Sequence, residues 1–150
     1  MKLAEALLLR AEYQEKIGLL QGRVLANLKV EQDEAPQEDP NALLREACEC
    51  IARLRDLVKQ IGARNSVAML PDGRTLSEAL ADRDALKKER DLLSGVAGHA
   101  VQKDFRLTHT ELKTRVTVSV AGLQKRVDAL SKEYRELDAQ IQAVNWTAEL

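Results

Sequence analysis

The residues best suited to chemistry in this 150-residue chain are two arginines on an otherwise apolar helix face. Arg83 and Arg90 lie one heptad apart in the run Leu76, Leu80, Arg83, Leu86, Arg90, Leu93 and Ala97. An arginine buried without a partner costs several kcal/mol, so both side chains need acceptors or water. Two interpretations remain open. The arginines pair with Asp or Glu from neighbouring helices or from another copy of the chain, or they form a basic site for a small anionic ligand together with Arg74.

No other pattern in the sequence predicts catalysis or metal binding. His99 and His109 have no HExxH, ExxH or Cys-His spacing beside them, and no GxSxG, P-loop or GxGxxG motif occurs. Cys48 and Cys50 are two residues apart, so on a helix they point to different faces and cannot bridge each other or share a metal. We therefore predict a protein that is not an enzyme and that binds no metal or cofactor.

The charged stretch PDGRTLSEALADRDAL, residues 71–86, contains the signals that begin a helix. Pro71-Asp72-Gly73 is typical of a tight turn, because proline presets φ and glycine accepts a positive φ. Thr75 and Glu78 have the spacing of a capping box. Helix formation thus accounts for these residues and leaves Arg83 without an explanation.

The composition favours packed helices and gives no general attraction for polyanions. Aromatic residues make up 3% of the chain, and 23 basic against 24 acidic residues give a formal net charge of −1. Nucleic acid is therefore not an expected partner. The N-terminal run reaches Arg10 and Glu12 after few apolar residues and has no cleavage signal. We expect a cytoplasmic protein without a membrane partner.

Apolar periodicity predicts four long helices at about residues 3–30, 41–65, 76–100 and 120–144. The first carries a wider apolar stripe than a coiled-coil seam needs. The second has a strict heptad, formed by Leu44, Ala47, Ile51, Leu54, Val58 and Ile61. The fourth keeps a/d spacing throughout, at Val120, Leu123, Val127, Leu130, Tyr134, Leu137, Ile141 and Val144. Such seams predict helices that pack along their whole length.

Between the third and fourth helices the period changes to strict alternation. Leu112, Thr114, Val116 and Val118 alternate with polar residues, which favours an extended or β-hairpin segment over about residues 105–118, with Phe105 and Leu107 as its partner strand. The predicted fold class is mainly α. Four long helices form an antiparallel bundle or paired helical hairpins in a single domain, residues 1–150.

The regular seams also favour self-association. The heptads of the second and fourth helices and the wide apolar face of the first offer more seam than one bundle uses, so we expect a homo-oligomer with coiled-coil contacts. Near the end of the chain, the residues expected to contribute to these contacts are Tyr134, Leu137, Ile141 and Trp146.

Several sequence blocks resemble a family of small bacterial proteins of unknown function that carries the label septicolysin. The blocks are MKLAEAL, DGRTLSEALADRDAL, TELKTRVTVSVAGLQKR and KEYRELDAQIQAVNW, in this order along nearly the whole chain. The resemblance implies a mostly helical cytosolic protein that self-associates, and the label implies a pore-forming cytolysin. The sequence itself contains no stretch of about 20 apolar residues, and Leu112 to Val120 is too short to cross a bilayer as a hairpin.

The sequence thus supports one leading interpretation and two alternatives. The leading one is a non-enzymatic, self-associating helical protein with a role in protein–protein contacts. The alternatives are a pore-forming cytolysin, as the label implies, and a binder of a small anionic ligand that uses Arg74, Arg83 and Arg90.

Overall fold

The protein is mainly helical. The computed structural model describes residues 1–102 and 114–150. The helices are α1 (Leu3–Ala26), α2 (Pro40–Asn65), α3 (Leu76–Ala100) and α4 (Val120–Thr147). The described residues contain no strand; backbone pairing between extended residues is limited there to two isolated bridges, Lys2 with Glu149 and Met69 with Thr75. The helical class and the four predicted helices are confirmed.

The extended segment predicted over about residues 105–118 is not shown. Residues 103–113, including Phe105, Leu107 and Leu112, lie outside the described residues. Residues 114–119 are described and belong to neither a helix nor a strand. The predicted β-hairpin stays a prediction.

The described chain divides into two compact units. The first comprises Met1–Leu76 with Gln142–Leu150, and the second comprises Ser77–Ile141. Each unit has its own buried apolar residues, Leu20 and Leu43 among them in the first, Val127 and Leu137 in the second. The prediction of one domain over residues 1–150 stays a prediction.

In the first unit, α1 and α2 form an antiparallel hairpin. Its core contains Leu20 and Val24 of α1 and Leu43 and Cys50 of α2, with Ile17 and Ala47 packed against it. Two inter-helix ion pairs run alongside: Lys16 Nζ lies 2.8 Å from Glu46 Oε1, and Arg23 binds Glu38 through both Nε and Nη2. Burial of the apolar side chains drives this packing, and the exposed ion pairs help to fix its register.

The register of α2 differs from the one that its sequence predicts. The buried heptad is Leu43, Cys50 and Leu57, with Ile61 one turn further, whereas Leu44, Ile51 and Val58 are exposed. The two sets lie one residue apart along α2, so they point about 100° apart around it. The predicted seam therefore contains residues of two different faces.

Asn27 ends α1 before the apolar pattern does. The helix stops at Ala26 rather than near residue 30, because the Asn27 backbone N–H donates to the Val24 carbonyl and its side-chain amide donates to the Arg23 carbonyl. The Asn27 Oδ1 atom then accepts from the Glu38 N–H at 3.1 Å. One asparagine side chain thus connects the end of α1 to the residue before the cap of α2.

Asp39 caps α2, and removing this cap tests how much it stabilises the hairpin. Its Oδ1 accepts from the Asn41 N–H at 2.9 Å, and Pro40 occupies the first helical position. Replacing Asp39 with alanine should lower the free energy of unfolding by about 1 kcal/mol, because an N-terminal amide of α2 loses its acceptor. Urea unfolding followed by circular dichroism measures this. Asp33→Ala, in the exposed loop, is the control, and equal losses in both variants would contradict the role of the cap.

The first unit also holds the two ends of the described chain together. The Leu3 N–H donates to the Ala148 carbonyl at 2.9 Å, and the Leu150 N–H donates to the Met1 carbonyl at 2.9 Å. Glu149 accepts from the Met1 amino group at 3.3 Å and forms an ion pair with Lys2. These bonds attach the last residues of the chain to the start of α1.

A tight turn precedes α3 in the same unit. Gly73 has φ +90°, in the left-handed region that favours glycine, and its N–H donates to the Leu70 carbonyl at 3.0 Å. The Leu76 N–H donates to the Ala68 carbonyl at 2.7 Å, which closes the loop around Leu70. The helix begins at Leu76, directly after Thr75, as the capping pattern predicts.

In the second unit, α3 and α4 run antiparallel. Arg83 near the start of α3 pairs with Asp138 late in α4, whereas Glu89 further along α3 pairs with Arg126 earlier in α4. Ser119 begins α4, since its Oγ accepts from the Gly122 N–H at 3.0 Å. The predicted a/d residues of both helices are buried or half-buried, so these two seams are confirmed.

Acid should weaken three ion pairs of the first unit. Hydrogen bonds hold the pKa values of Glu38, Glu46 and Glu149 below the ordinary value of 4.5: from Arg23 to Glu38, from Lys16 to Glu46, and from Lys2 and the amino terminus to Glu149. A carboxylate with a lowered pKa stabilises the folded state above its unfolded pKa and loses that contribution as the pH falls through the folded one. Thermal melts should therefore fall in temperature as the pH drops below about 4.5. In the Glu46→Gln variant the melting temperature should fall less steeply with decreasing pH than in the wild type. An equally steep fall in both proteins would contradict this prediction.

Candidate functional site

The two seam arginines lie at the contact between α3 and α4, and each has a partner within the second unit. Arg83 Nη1 donates to Asp138 Oδ1 at 2.9 Å, and its Nη2 lies 3.6 Å from Asp84 Oδ1. The side chains of Arg83 and Asp138 are 23% and 33% exposed, so the pair is partly shielded from water. Arg83 Nε is buried without a hydrogen-bond partner among the described residues.

Arg90 is held by a carboxylate and an aromatic ring. Its Nε and Nη2 donate to Asp91 Oδ1 at 3.1 and 2.9 Å. Its guanidinium carbon lies 5.4 Å from the centre of the Tyr134 ring, which is within the range of a cation–π contact. The stacked ring explains how an arginine fits on an apolar seam.

Arg74 belongs to the turn of the first unit. Its Nε and Nη2 donate to Asp72 Oδ2 at 3.0 and 2.6 Å, and its backbone N–H donates to Asp72 Oδ1. The hydrogen bonds from Arg74 hold the pKa of Asp72 below its ordinary value. Each of the three candidate arginines therefore has a carboxylate neighbour along the sequence, and an incoming anion would compete with these carboxylates.

The described residues contain no candidate metal site. No group of three or more His, Cys, Asp and Glu side chains there has the geometry to hold a metal ion. Cys48 is exposed and Cys50 is buried, and both are free thiols. His99 lies in the last turn of α3, and His109 lies outside the described residues.

The residues expected to support self-association are in different environments. Leu137 and Ile141 are buried within the chain, and Tyr134 is half-buried beneath Arg90. Trp146, in the last turn of α4, is 58% exposed. Of this set, Trp146 presents the most exposed apolar surface.

A more regular apolar surface lies on α2. Leu44, Ile51 and Val58, which we call the α2 stripe, are 46%, 50% and 46% exposed. Their spacing of seven residues puts them on one side of the helix, beside the face that packs on α1. Large apolar side chains that repeat in this way and remain exposed are typical of an interaction surface. The predicted heptad of α2 includes all three residues, so their regular spacing was visible in the sequence, whereas their exposure was not.

Asp138 is the residue of the arginine cluster that the sequence did not single out. It lies one residue after the seam position Leu137 and four residues after Tyr134, so it borders the same face of α4. The sequence pattern that could have predicted this ion pair is an arginine on the seam of one helix together with a carboxylate beside the seam of another. Choosing Asp138 among the other acidic residues of α4 required the pairing of the two helices.

Comparisons with known proteins identify the family. The model of a family of unknown function, DUF6847, matches residues 10–150. The chain belongs to the DUF6847 family. A crystal structure described as a functionally unknown conserved protein from Corynebacterium diphtheriae is similar to this DUF6847 chain, with 39% identity, a TM-score of 0.93, and coverage of 100% of this chain and 98% of the other. No curated protein matches it.

The septicolysin label finds no support in these comparisons. Neither the DUF6847 family nor the solved structure is described as a cytolysin or a toxin. Within the described residues of this DUF6847 chain, no helix combines the length and the apolar character needed to cross a membrane. The comparisons confirm that the chain belongs to a family of unknown function, and they do not support the septicolysin label.

Proposed function

We propose that this DUF6847 protein is a non-enzymatic helical protein that self-associates through the α2 stripe and acts through protein–protein contacts in the cytoplasm. The observation that carries the proposal is the exposure of Leu44, Ile51 and Val58 along one side of a 26-residue helix. Trp146, exposed in the last turn of α4, is a further candidate for the contact.

The stripe is not needed for the packing of α2 on α1. Leu43 and Cys50 already fill that contact, Ala47 packs against the same core, and Leu57 is buried on the same face of α2. A second helix on Leu44, Ile51 and Val58 would remove their exposed apolar area from water, and each Å² of that area contributes about 25 cal/mol. A heptad of large aliphatic residues also suits knobs-into-holes packing with another helix.

The seam arginines favour a structural role over ligand binding. Arg83 bonds to Asp138 on the opposite helix, and Arg90 bonds to Asp91 and stacks on Tyr134. A small anion would have to displace these acceptors, so binding at this place would be weak. We therefore place the anionic-ligand interpretation second.

Sedimentation velocity over a range from micromolar to about 1 mM tests the proposal. The wild-type protein should form an oligomer whose fraction rises with concentration, and Leu44→Asn with Ile51→Asn should shift it to monomer without lowering the melting temperature. Leu92→Asn, at an exposed leucine of α3, is the matched control. A strict monomer throughout the range would refute the proposal.

The same protein samples also test the cytolysin alternative. Release of an entrapped dye from liposomes of mixed neutral and anionic lipids should stay at the level of a buffer control. Dose-dependent release would favour the cytolysin over the proposed role.

A further inference from the structure

The α2 stripe has a basic border. Arg55 lies four residues after Ile51 and three before Val58, so it occupies the same side of the helix. Lys59 lies four residues after Arg55 and borders the same side. Arg45 points about 100° from Leu44, away from the face that packs on α1, and all three cationic residues are exposed. We call this surface, formed by the stripe with Arg45, Arg55 and Lys59, the basic face of α2.

The carboxylates of α2 do not neutralise this face fully. Glu46 points toward α1, where it pairs with Lys16. Asp56 accepts from Arg55 Nε at 2.9 Å and also interacts with Lys59, but it is exposed. Glu49, also exposed, lies four residues after Arg45. The three cations outnumber these two carboxylates, so the face keeps a net positive charge. A partner for the basic face of α2 should therefore combine apolar side chains with carboxylates.

The outer side of α1 has this complementary composition. Leu8, Glu12, Glu15 and Leu19 follow one another at spacings of four, three and four residues, so they form one row along the helix. Leu8 and Leu19 are 59% and 63% exposed, and Glu12 and Glu15 between them are also exposed. We call this row the acidic face of α1.

The acidic face is separate from the packing contact of α1. Leu20 and Val24 bury themselves against α2, whereas Leu19 points about 100° away from Leu20. Lys16 and Arg23 reach toward carboxylates of the hairpin itself. The α1–α2 hairpin thus carries an acidic apolar row on one helix and a basic apolar row on the other, and both are exposed.

We propose that the basic face of α2 in one copy binds the acidic face of α1 in a second copy. This inference rests on the proposed self-association and specifies its geometry. Pairing two basic faces would set Arg45, Arg55 and Lys59 of each copy near the same residues of the other, and like charges at an interface oppose binding. Pairing the basic face with the acidic face brings leucines against the α2 stripe and Glu12 and Glu15 near the cations.

This pairing joins two different faces, so copies of the chain can associate head to tail, each giving its basic face to one neighbour and its acidic face to the other. Such heterologous contacts close into a ring if the rotation allows it and otherwise extend into a filament. A two-fold dimer can also make this contact twice, with each α2 on the α1 of the other copy, whereas a dimer of two basic faces joins the same face of both copies. Pairing of unlike faces and pairing of like faces respond differently to charge reversal, which makes them separable by experiment.

Two charge-reversal variants test the inference by sedimentation velocity at low and high salt. The first is Arg55→Glu with Lys59→Glu, and the second is Glu12→Lys with Glu15→Lys. Each variant alone should associate at least about tenfold more weakly than wild type, because both of its faces then carry the same sign of charge. An equimolar mixture of the two should recover the association, because each reversed face now meets its opposite. Lys87→Glu with Lys88→Glu, at exposed positions of α3, should leave association unchanged.

The outcomes separate this inference from the proposed function. A monomeric wild-type protein would overturn both. An oligomeric wild type whose association falls only in the first variant would retain the α2 stripe and overturn the acidic face of α1 as its partner. Association unchanged in both variants, or a mixture that fails to recover, would overturn the inference while self-association stands. Glutamine replacements at the same positions, compared by circular dichroism, verify that any loss does not come from unfolding.

Discussion

Replacing Leu43 with alanine is expected to lower the free energy of unfolding by about 2–5 kcal/mol, whereas the same change at Leu44 should alter it by about 0.5 kcal/mol or less. Leu43 is 5% exposed and belongs to the core formed with Leu20 and Val24, so its truncation leaves a cavity between α1 and α2. Leu44 lies on the exposed stripe and loses few contacts within the chain. Urea unfolding monitored by circular dichroism, at a concentration where the protein is monomeric, measures both values.

The two variants serve as controls for each other, because each replaces a leucine with alanine and the two positions are adjacent in α2. Helix propensity changes equally in both, and any difference therefore reports packing. If Leu44→Ala proves as destabilising as Leu43→Ala, the face of α2 that packs on α1 is the one predicted from the sequence rather than the one in the structure. Leu44→Ala should instead weaken self-association at high concentration.

The register of α2 shows why its packing was not readable from the sequence. Leu43, Cys50 and Leu57 repeat every seven residues, as do Leu44, Ile51 and Val58. Both sets are apolar, so periodicity alone assigns neither of them to α1. The ion pair between Lys16 and Glu46 joins residues 30 positions apart in the sequence, and such long-range pairing is not contained in a local pattern.

The helices of the second unit were easier to predict. The seams of α3 and α4 each follow one heptad, apolar apart from Arg83 and Arg90 in α3, so their buried faces follow from spacing alone. The end of α1 was harder, because the apolar pattern continues to Leu28 while Asn27 stops the helix through side-chain bonds to Arg23 and Glu38. The candidate arginines were found from their positions on the seam, but their acceptors depend on the tertiary arrangement.

Replacing Asp138 with leucine is expected to lower the free energy of unfolding by about 1–3 kcal/mol. The variant leaves Arg83 at the contact of α3 and α4 without the carboxylate that accepts from its Nη1 at 2.9 Å. The loss should be smaller than that for a fully buried pair, because both side chains retain some access to water and Arg83 also lies near Asp84. Thermal and urea unfolding give the value, and Asp128→Leu, at an exposed position of α4, is the control.

The double variant Arg83→Leu with Asp138→Leu distinguishes structural pairing from ligand binding. Replacing both charges with leucine removes the unpaired cation and adds apolar surface to the seam, so stability should return to the wild-type level or exceed it. Binding of inorganic phosphate, measured by calorimetry, should be equally weak in the wild type and the double variant. If the wild type instead binds phosphate tightly and the double variant is stable but does not bind it, Arg83 serves a ligand, and its bond to Asp138 holds the guanidinium in place for that anion.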